Sequence, residues 1–311
     1  MRPFPGVSRT QGREVGKMMS LANETYVYKT VCGCEIGADV YRARKGSDPA
    51  PVIVWIHGGC LMYGSRKAIH PDQLARYVDS GFTVVSIDYR LAPETLLPSI
   101  IEDLQDAFRW VRVEGPDLYG IDPQRIAVVG HSAGGYLSLM AGACVRPRPR
   151  AIVAFYGYGD IVGDWYSKPD PFYCRQPAIS RKEAYKDIGH SPIASAQGAR
   201  AESPIYLYCR QNGLWPKVVA GHDPTEKPEA FVPYCPIQNI GADYPPTLLL
   251  HGDQDTDVPY EQSVMMSEAL SKRGIENELI TMHGRGHGFD GDASVAQVAL
   301  DAVLAFLQAH L

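Results

Sequence analysis

One serine sits between two glycines where a strand gives way to a helix. The pentapeptide Gly130-His131-Ser132-Ala133-Gly134 follows the apolar run Ile126-Ala127-Val128-Val129 and precedes a helix-forming stretch, Tyr136 to Ala143. A turn this tight has no room for a Cβ at the flanking positions, which is why glycine stands at both. It holds the serine hydroxyl at its apex, above a sheet edge. Ser132 is therefore a candidate nucleophile and the chain a candidate hydrolase.

The rest of the chain supplies the sheet that this turn needs. Tyr26 to Val31 and Ile36 to Ala43 read as an opening antiparallel pair. Residues 51–56 are a short continuous apolar run, the pattern of a strand covered on both faces, and 82–87 and 151–155 read as further strands. Helical stretches separate them. In the second, Ile100, Leu104, Ala107, Phe108 and Val111 recur at helical spacing. After Gly157 the alternation stops. Residues 159–245 hold eleven prolines and eleven aromatic residues with weak periodicity, too long for a plain loop. We read them as an inserted cap, partly helical around Arg181 to Ile188. The alternation resumes at Thr247-Leu248-Leu249-Leu250, with a helix from Tyr260 to Lys272, a strand from Glu278 to Met282 and a closing helix. The expected organisation is an N-terminal arm (1–25), a core (26–158 and 246–311) and the cap (159–245). The expected fold is α/β: a mostly parallel central sheet flanked by helices, with right-handed crossovers. Ligands of such sheets bind beyond the carboxyl ends of the strands.

Composition narrows the class further. The chain has 311 residues, 45% hydrophobic, and a formal net charge of −5 without blocks of like charge. That is enough for a buried core and speaks against nucleic acid as a partner. No apolar run reaches the length of a membrane span. Met1 to Ser20 lacks the hydrophobic centre of a signal peptide, so a cytoplasmic location is expected. The cysteine count, seven, is odd, and a reduced protein is expected, although Cys174, Cys209 and Cys235 leave room for one disulfide. The partner is expected to be a small-molecule ester, and a homodimer is compatible with the sequence.

A serine hydroxyl needs a base within hydrogen-bond reach, and the base needs an orienting acid. The loops after the last two strands supply both. His251-Gly252-Asp253-Gln254-Asp255-Thr256-Asp257-Val258-Pro259 offers three acids. Asp255 is favoured over Asp253, near the strand end, and over Asp257, which is placed to cap the following helix. His283-Gly284-Arg285-Gly286-His287-Gly288-Phe289 offers two bases. His287, between glycines that permit a tight exposed loop, is favoured over His283. Those glycines argue against a helix, and hence against a metal site built on two histidines four apart. The oxyanion of a tetrahedral intermediate needs backbone donors. Ala133 supplies one. Gly59 and Cys60 of the loop His57-Gly58-Gly59-Cys60 are the others, with His57 and Gly58 in support. Neither a phosphate-binding loop nor a dinucleotide fingerprint is present, and no cofactor is expected.

These motifs, together with Asp88-Tyr89-Arg90-Leu91-Ala92-Pro93-Glu94, resemble the α/β-hydrolase fold and, within it, the hormone-sensitive-lipase-like esterases. The resemblance covers about 50–157 and 246–311. It implies cofactor-free hydrolysis of carboxylic esters, with short to medium acyl chains common. Cys60 stands where the family pattern has a third glycine, which would put a thiol beside the acyl site, and the cap resembles the family poorly. Among its aromatic residues Trp165 and Trp215, and Tyr156 from the core, are candidates to line a pocket suited to an aryl or bulky ester. An amidase, arylformamidase or acyl-peptidase on the same triad, or a feruloyl-type esterase, remains open. A non-catalytic receptor is disfavoured because Ser, Asp and His all remain in order.

Overall fold

The computed structural model describes residues 23–46 and 48–311. The expected N-terminal arm lies almost wholly outside the described residues. The strands among the described residues are β1 (Glu24–Val31), β2 (Cys34–Tyr41), β3 (Ala50–Ile56), β4 (Thr83–Ile87), β5 (Ile121–His131), β6 (Ala151–Phe155), β7 (Thr247–Gly252) and β8 (Asn277–Met282). They form one sheet in the order β1-β2-β4-β3-β5-β6-β7-β8. β1 and β2 pair antiparallel, as do β2 and β4, and every pairing from β4 through β3 to β8 is parallel.

Helices cover both faces. They are α1 (Pro71–Asp79), α2 (Leu97–Val113), α3 (Gly115–Tyr119), α4 (Ala133–Cys144), α5 (Asp164–Ser167), α6 (Arg181–Ala184), α7 (Ile205–Asn212), α8 (Trp215–Ala220), α9 (Glu261–Lys272) and α10 (Ala293–His310). Side chains of a strand alternate between faces, and β3 shows the consequence. Val52, Val54 and Ile56 join a core that includes Leu104 and Phe108 of α2, Leu137 and Met140 of α4 and Leu270 of α9. Ile53 and Trp55 join the opposite core, with Leu74 and Val78 of α1 and Val303 and Leu307 of α10. Every residue of β3, β4, β6 and β7 is buried. α10 is long and apolar enough to cross a membrane by length and composition, which corrects the reading that no run reaches that length. Here its stripe lies in the second core.

Between β6 and β7 the chain makes α5–α8 and short 3-10 turns, and no strand among the described residues. The helix expected over 181–188 is a single turn, α6, capped by Ser180. Longer helices lie elsewhere. α7 ends at Gly213 and α8 at Gly221, both left-handed, and α8 has a proline in its first turn. These are ordinary stop and start signals; the short length of each helix hides its periodicity. The insert shares the first core, through Tyr166, Ile205, Trp215 and Phe231. It is fastened to the core by the buried pair Arg200–Glu94 at 2.8 Å and by Arg200 donating to Ala92 O. Cys174, Cys209 and Cys235 are all free thiols, so the disulfide that the sequence left room for is not formed.

Candidate active site

The register of the sheet brings the relevant strand ends together. Gly130 lies opposite Ile56, His131 opposite Phe155, Phe155 opposite Leu250 and Gly252 opposite Met282. The loops that follow β3, β5, β6, β7 and β8 therefore open on one edge, although they come from distant parts of the sequence.

Ser132 turns between β5 and α4 with φ 55° and ψ −118°. Its N–H donates to Phe155 O, and its carbonyl accepts from Tyr136 N. A Cβ on Gly130 would lie 2.1 Å from Gly134 O, and one on Gly134 would lie 2.1 Å from Ile56 O. Both glycines are thus enforced by backbone.

The Ser132 hydroxyl donates to His287 Nε2 at 3.0 Å, and His287 Nδ1 donates to Asp255 Oδ2 at 2.7 Å. Asp255 is fully buried. Its Oδ1 accepts from the N–H groups of Asp257 and Val258, and His251 Nε2 lies 3.2 Å from its Oδ2. Burial alone would raise the Asp255 carboxyl, but the hydrogen bonds from His251 and His287 outweigh it and hold the group well below the carboxylate range. For His287, burial favours the neutral ring. The Asp255 hydrogen bond and the charges of Asp257, Asp255 and Asp290 overcome that and raise it above the ordinary histidine value. His287 remains 23% exposed, open to the edge where a substrate would arrive.

The other candidates fall elsewhere. Asp253 pairs with the exposed His283 at 2.9 Å, so the two less favoured candidates bind each other at the surface. Asp257 does not cap α9, whose N-cap position is Tyr260. It faces the insert instead.

The loop after β3 lies against the serine turn. A Cβ on Gly58 would come 2.9 Å from His131 O and 3.2 Å from Ser132 Cβ. Gly59 and Cys60 both have positive φ, 106° and 49°. Their N–H groups have no acceptor among the described residues, and neither does that of Ala133, the first residue of α4. His57 is buried, donates from Nδ1 to Gly58 O and stacks on Tyr89, whose hydroxyl donates to His57 O. It braces this loop. Burial, with lesser contributions from the charge of Asp257 and from Cys209, pushes the Cys60 thiol well up.

The three pocket candidates separate. Trp215 has no accessible surface; its Nε1 donates to Cys60 O at 3.1 Å. It ties the insert to the loop of free N–H groups rather than lining a pocket. Tyr156 is also buried. Its hydroxyl donates to Asp290 Oδ1 at 2.6 Å and its ring lies 4.6 Å from that of His287, so it backs the histidine. Trp165 is partly buried, stacked on Tyr166 at 3.6 Å, and its Nε1 has no partner. Only this one keeps accessible surface, and its unpartnered Nε1 is itself buried. Sequence reading missed Asp290, Tyr156's partner, and Arg210 of α7, which binds Asp257; both act across long sequence separations, and neither stands in a motif.

Comparison with known proteins finds matches to two families and to solved structures of the same fold. A family model described as BD-FAE matches residues 38–213, and that of the prolyl oligopeptidase family matches 202–311. The non-reducing polyketide synthase Preu6 of Preussia isomera is 28% identical over 86% of this chain, and pkbA of Emericella nidulans 30% over 86%. The matched part is only 14% and 13% of those synthases. Among solved structures, an α/β-hydrolase superfamily protein from Enterococcus faecalis superposes with a TM-score of 0.71 at 23% identity, covering 93% of this chain and 99% of the other. Esterase 2 of Thermogutta terrifontis does so with 0.65 at 24%, covering 92% and 93%. With the BD-FAE model spanning more than half of its length, on a sheet and serine turn of this kind, the chain belongs to the BD-FAE family and has the α/β-hydrolase fold.

Proposed function

We propose that this hydrolase cleaves carboxylic esters, with short or aryl acyl groups, through an acyl-enzyme on Ser132. The observation that carries the reading is the hydrogen-bonded line Asp255–His287–Ser132 ending beside three unused N–H groups. Ser132 Oγ attacks the carbonyl carbon and its proton passes to His287 Nε2. Asp255 keeps the ring oriented and stabilises the imidazolium. The N–H groups of Gly59, Cys60 and Ala133 receive the oxyanion; one such donor is worth about 3 kcal/mol in comparable sites. The carbon–oxygen bond to the alcohol breaks, and His287 returns the proton to it. Water, deprotonated by His287, then adds to the acyl-enzyme and frees Ser132.

The Thermogutta esterase has been crystallised with butyrate and with propionate bound, which supports short acyl groups. A second reading is hydrolysis of an aryl thioester, favoured by the similarity to segments of polyketide synthases. The same attack serves both.

The test is turnover of p-nitrophenyl esters from acetate to palmitate, methyl ferulate, an aryl thioester and an anilide, by wild type and Ser132→Ala. The expected result is ester turnover that falls by about 10⁴-fold or more in the variant. Turnover confined to the anilide would replace the ester reading with an amidase. Equal turnover by the two proteins would remove Ser132 from the chemistry.

A further inference from the structure

Asp257 lies on the open side of the histidine. Its Oδ2 is 3.5 Å from His287 Nε2, the atom that must accept and release the proton. Its Oδ1 accepts from Tyr173 and Tyr206 hydroxyls at 2.7 and 2.6 Å and from Arg210 Nη1 at 2.8 Å. The same Nη1 donates to the Asp257 carbonyl at 2.8 Å. Arg210 is 1% exposed, also binds Asp170 at 2.6 Å, and is ringed by Trp165, Tyr166, Tyr173 and Tyr206. Two carboxylates share one guanidinium, so the cluster keeps an excess negative charge. Every donor from the insert is on Oδ1. That leaves Oδ2 aimed at Nε2, held by Tyr206 and Arg210 of α7 and by Tyr173 of the short 3-10 turn between α5 and α6.

We propose that Asp257 is a further member of the reaction centre. It stabilises protonated His287 from the Nε2 side and so directs the enzyme to acyl compounds whose leaving group departs without a proton, phenolates and thiolates. The proposal rests on the acyl-transfer reading above. In acylation the Ser132 O–H bond breaks, its proton goes to Nε2, and the Oγ–carbon bond forms. Protonated His287 then lies between two carboxylates, Asp255 at Nδ1 and Asp257 at Nε2. A base strengthened in this way is a weaker acid. Amines and alkoxides need that acid as they leave. A phenolate or thiolate takes the bonding electron pair with it unaided, and the proton passes afterwards to the departed anion or to water. Neutral His287 is then available to deprotonate the deacylating water.

The other groups facing His287 do not duplicate this role. Asp290 is engaged by the Tyr156 hydroxyl and lies 3.3 Å from His131 Nε2. Burial keeps His131 toward its neutral form, and Tyr156 offers a ring. Asp255 holds the opposite nitrogen.

The experiment measures kcat/KM from pH 5 to 9 for the full chain, Asp257→Asn and Tyr206→Phe, on substituted phenyl acetates, S-phenyl thioacetate and ethyl acetate. Loss of the charge makes His287 less basic, so the acid limb of Asp257→Asn moves down by roughly one pH unit. Its ratio of phenyl to ethyl turnover falls by roughly tenfold. Tyr206→Phe keeps the carboxylate but removes a donor from it. The charge at Oδ2 strengthens, the limb moves up, and the ratio moves the opposite way. A merely structural Asp257 would lower all rates together. Either readout unmoved in a folded variant overturns the proposal, and Tyr206→Phe carries the test alone if Asp257→Asn does not fold. Wild type without Ser132-dependent turnover overturns the acyl-transfer reading and this one with it, whereas active wild type with unmoved variants overturns only this one.

Discussion

Ser132 has a backbone conformation, φ 55° and ψ −118°, that an L residue keeps only when its surroundings impose it. The imposing atoms are carbonyls. Gly134 lies against Ile56 O and His57 O, and Gly130 against Gly134 O, so the turn is clamped between β3 and the start of α4. None of these three carbonyls can retreat without disturbing the sheet, the loop after β3 or the helix. Gly134→Ala is therefore expected to cost about 1–3 kcal/mol, the range for overpacking a tight interior. It should also lower ester turnover by displacing Ser132 Oγ from His287. Chemical denaturation and initial rates on one p-nitrophenyl ester check both, and a variant of native stability would mean that the clamp is looser than the contact distances say.

The helices of the insert act on the site as elements, not through pocket-lining side chains. α8 brings Trp215 under Cys60, and α7 brings Arg210 to Asp257. What seats them is the buried contact of Arg200 with Glu94 and Ala92 O, from the segment Asp88–Glu94 whose residues stood out in the sequence. The two ends of that segment do separate work. Asp88 binds Arg66 and its backbone N–H, securing the loop after β3, while Glu94 secures the insert. Removing one partner of a buried pair leaves the other charge without compensation. Arg200→Met is thus expected to destabilise by about 3 kcal/mol and to expose 159–245 to proteolysis before the rest of the chain. Limited digestion followed by mass mapping checks this; first cuts elsewhere would show that Arg200 does not seat the insert.

At the scale of the molecule, core and insert share one apolar cluster, in which Tyr136 of α4 stacks on Tyr158 at 4.9 Å and Tyr166 stacks on Trp215 at 4.1 Å. A shared core cannot be opened from one side alone. In a variant with Trp55→Phe and Trp110→Phe, which leaves Trp165 and Trp215 of the insert as the remaining tryptophans, tryptophan fluorescence and far-ultraviolet circular dichroism are expected to show coincident unfolding transitions. Two resolved transitions would separate the insert as its own cooperative unit. Much of this organisation was legible beforehand. Unbroken apolar runs mark strands buried on both faces, and glycines beside Ser132 mark a turn that excludes Cβ, because both depend on neighbours in the chain. The relation of Asp255 to His287 was also legible, since each follows a strand and such ends converge in a parallel sheet. Asp257 was not: its position favours a helix cap, and only packing of α7 supplies the arginine that turns it to the histidine. Trp215 and Tyr156 took roles other than pocket lining, and the Cys60 thiol was buried, for the same reason. Aromatic and thiol groups follow the space left to them, and that space is set by residues fifty or more positions away. The sequence by itself determined the sheet, the serine turn and the line of three hydrogen-bonded side chains, through local backbone geometry and hydrophobic period. The tertiary structure decided which carboxylates surround the histidine and which aromatic residues remain free to meet a ligand, because burial and charge at those positions are properties of the packed whole.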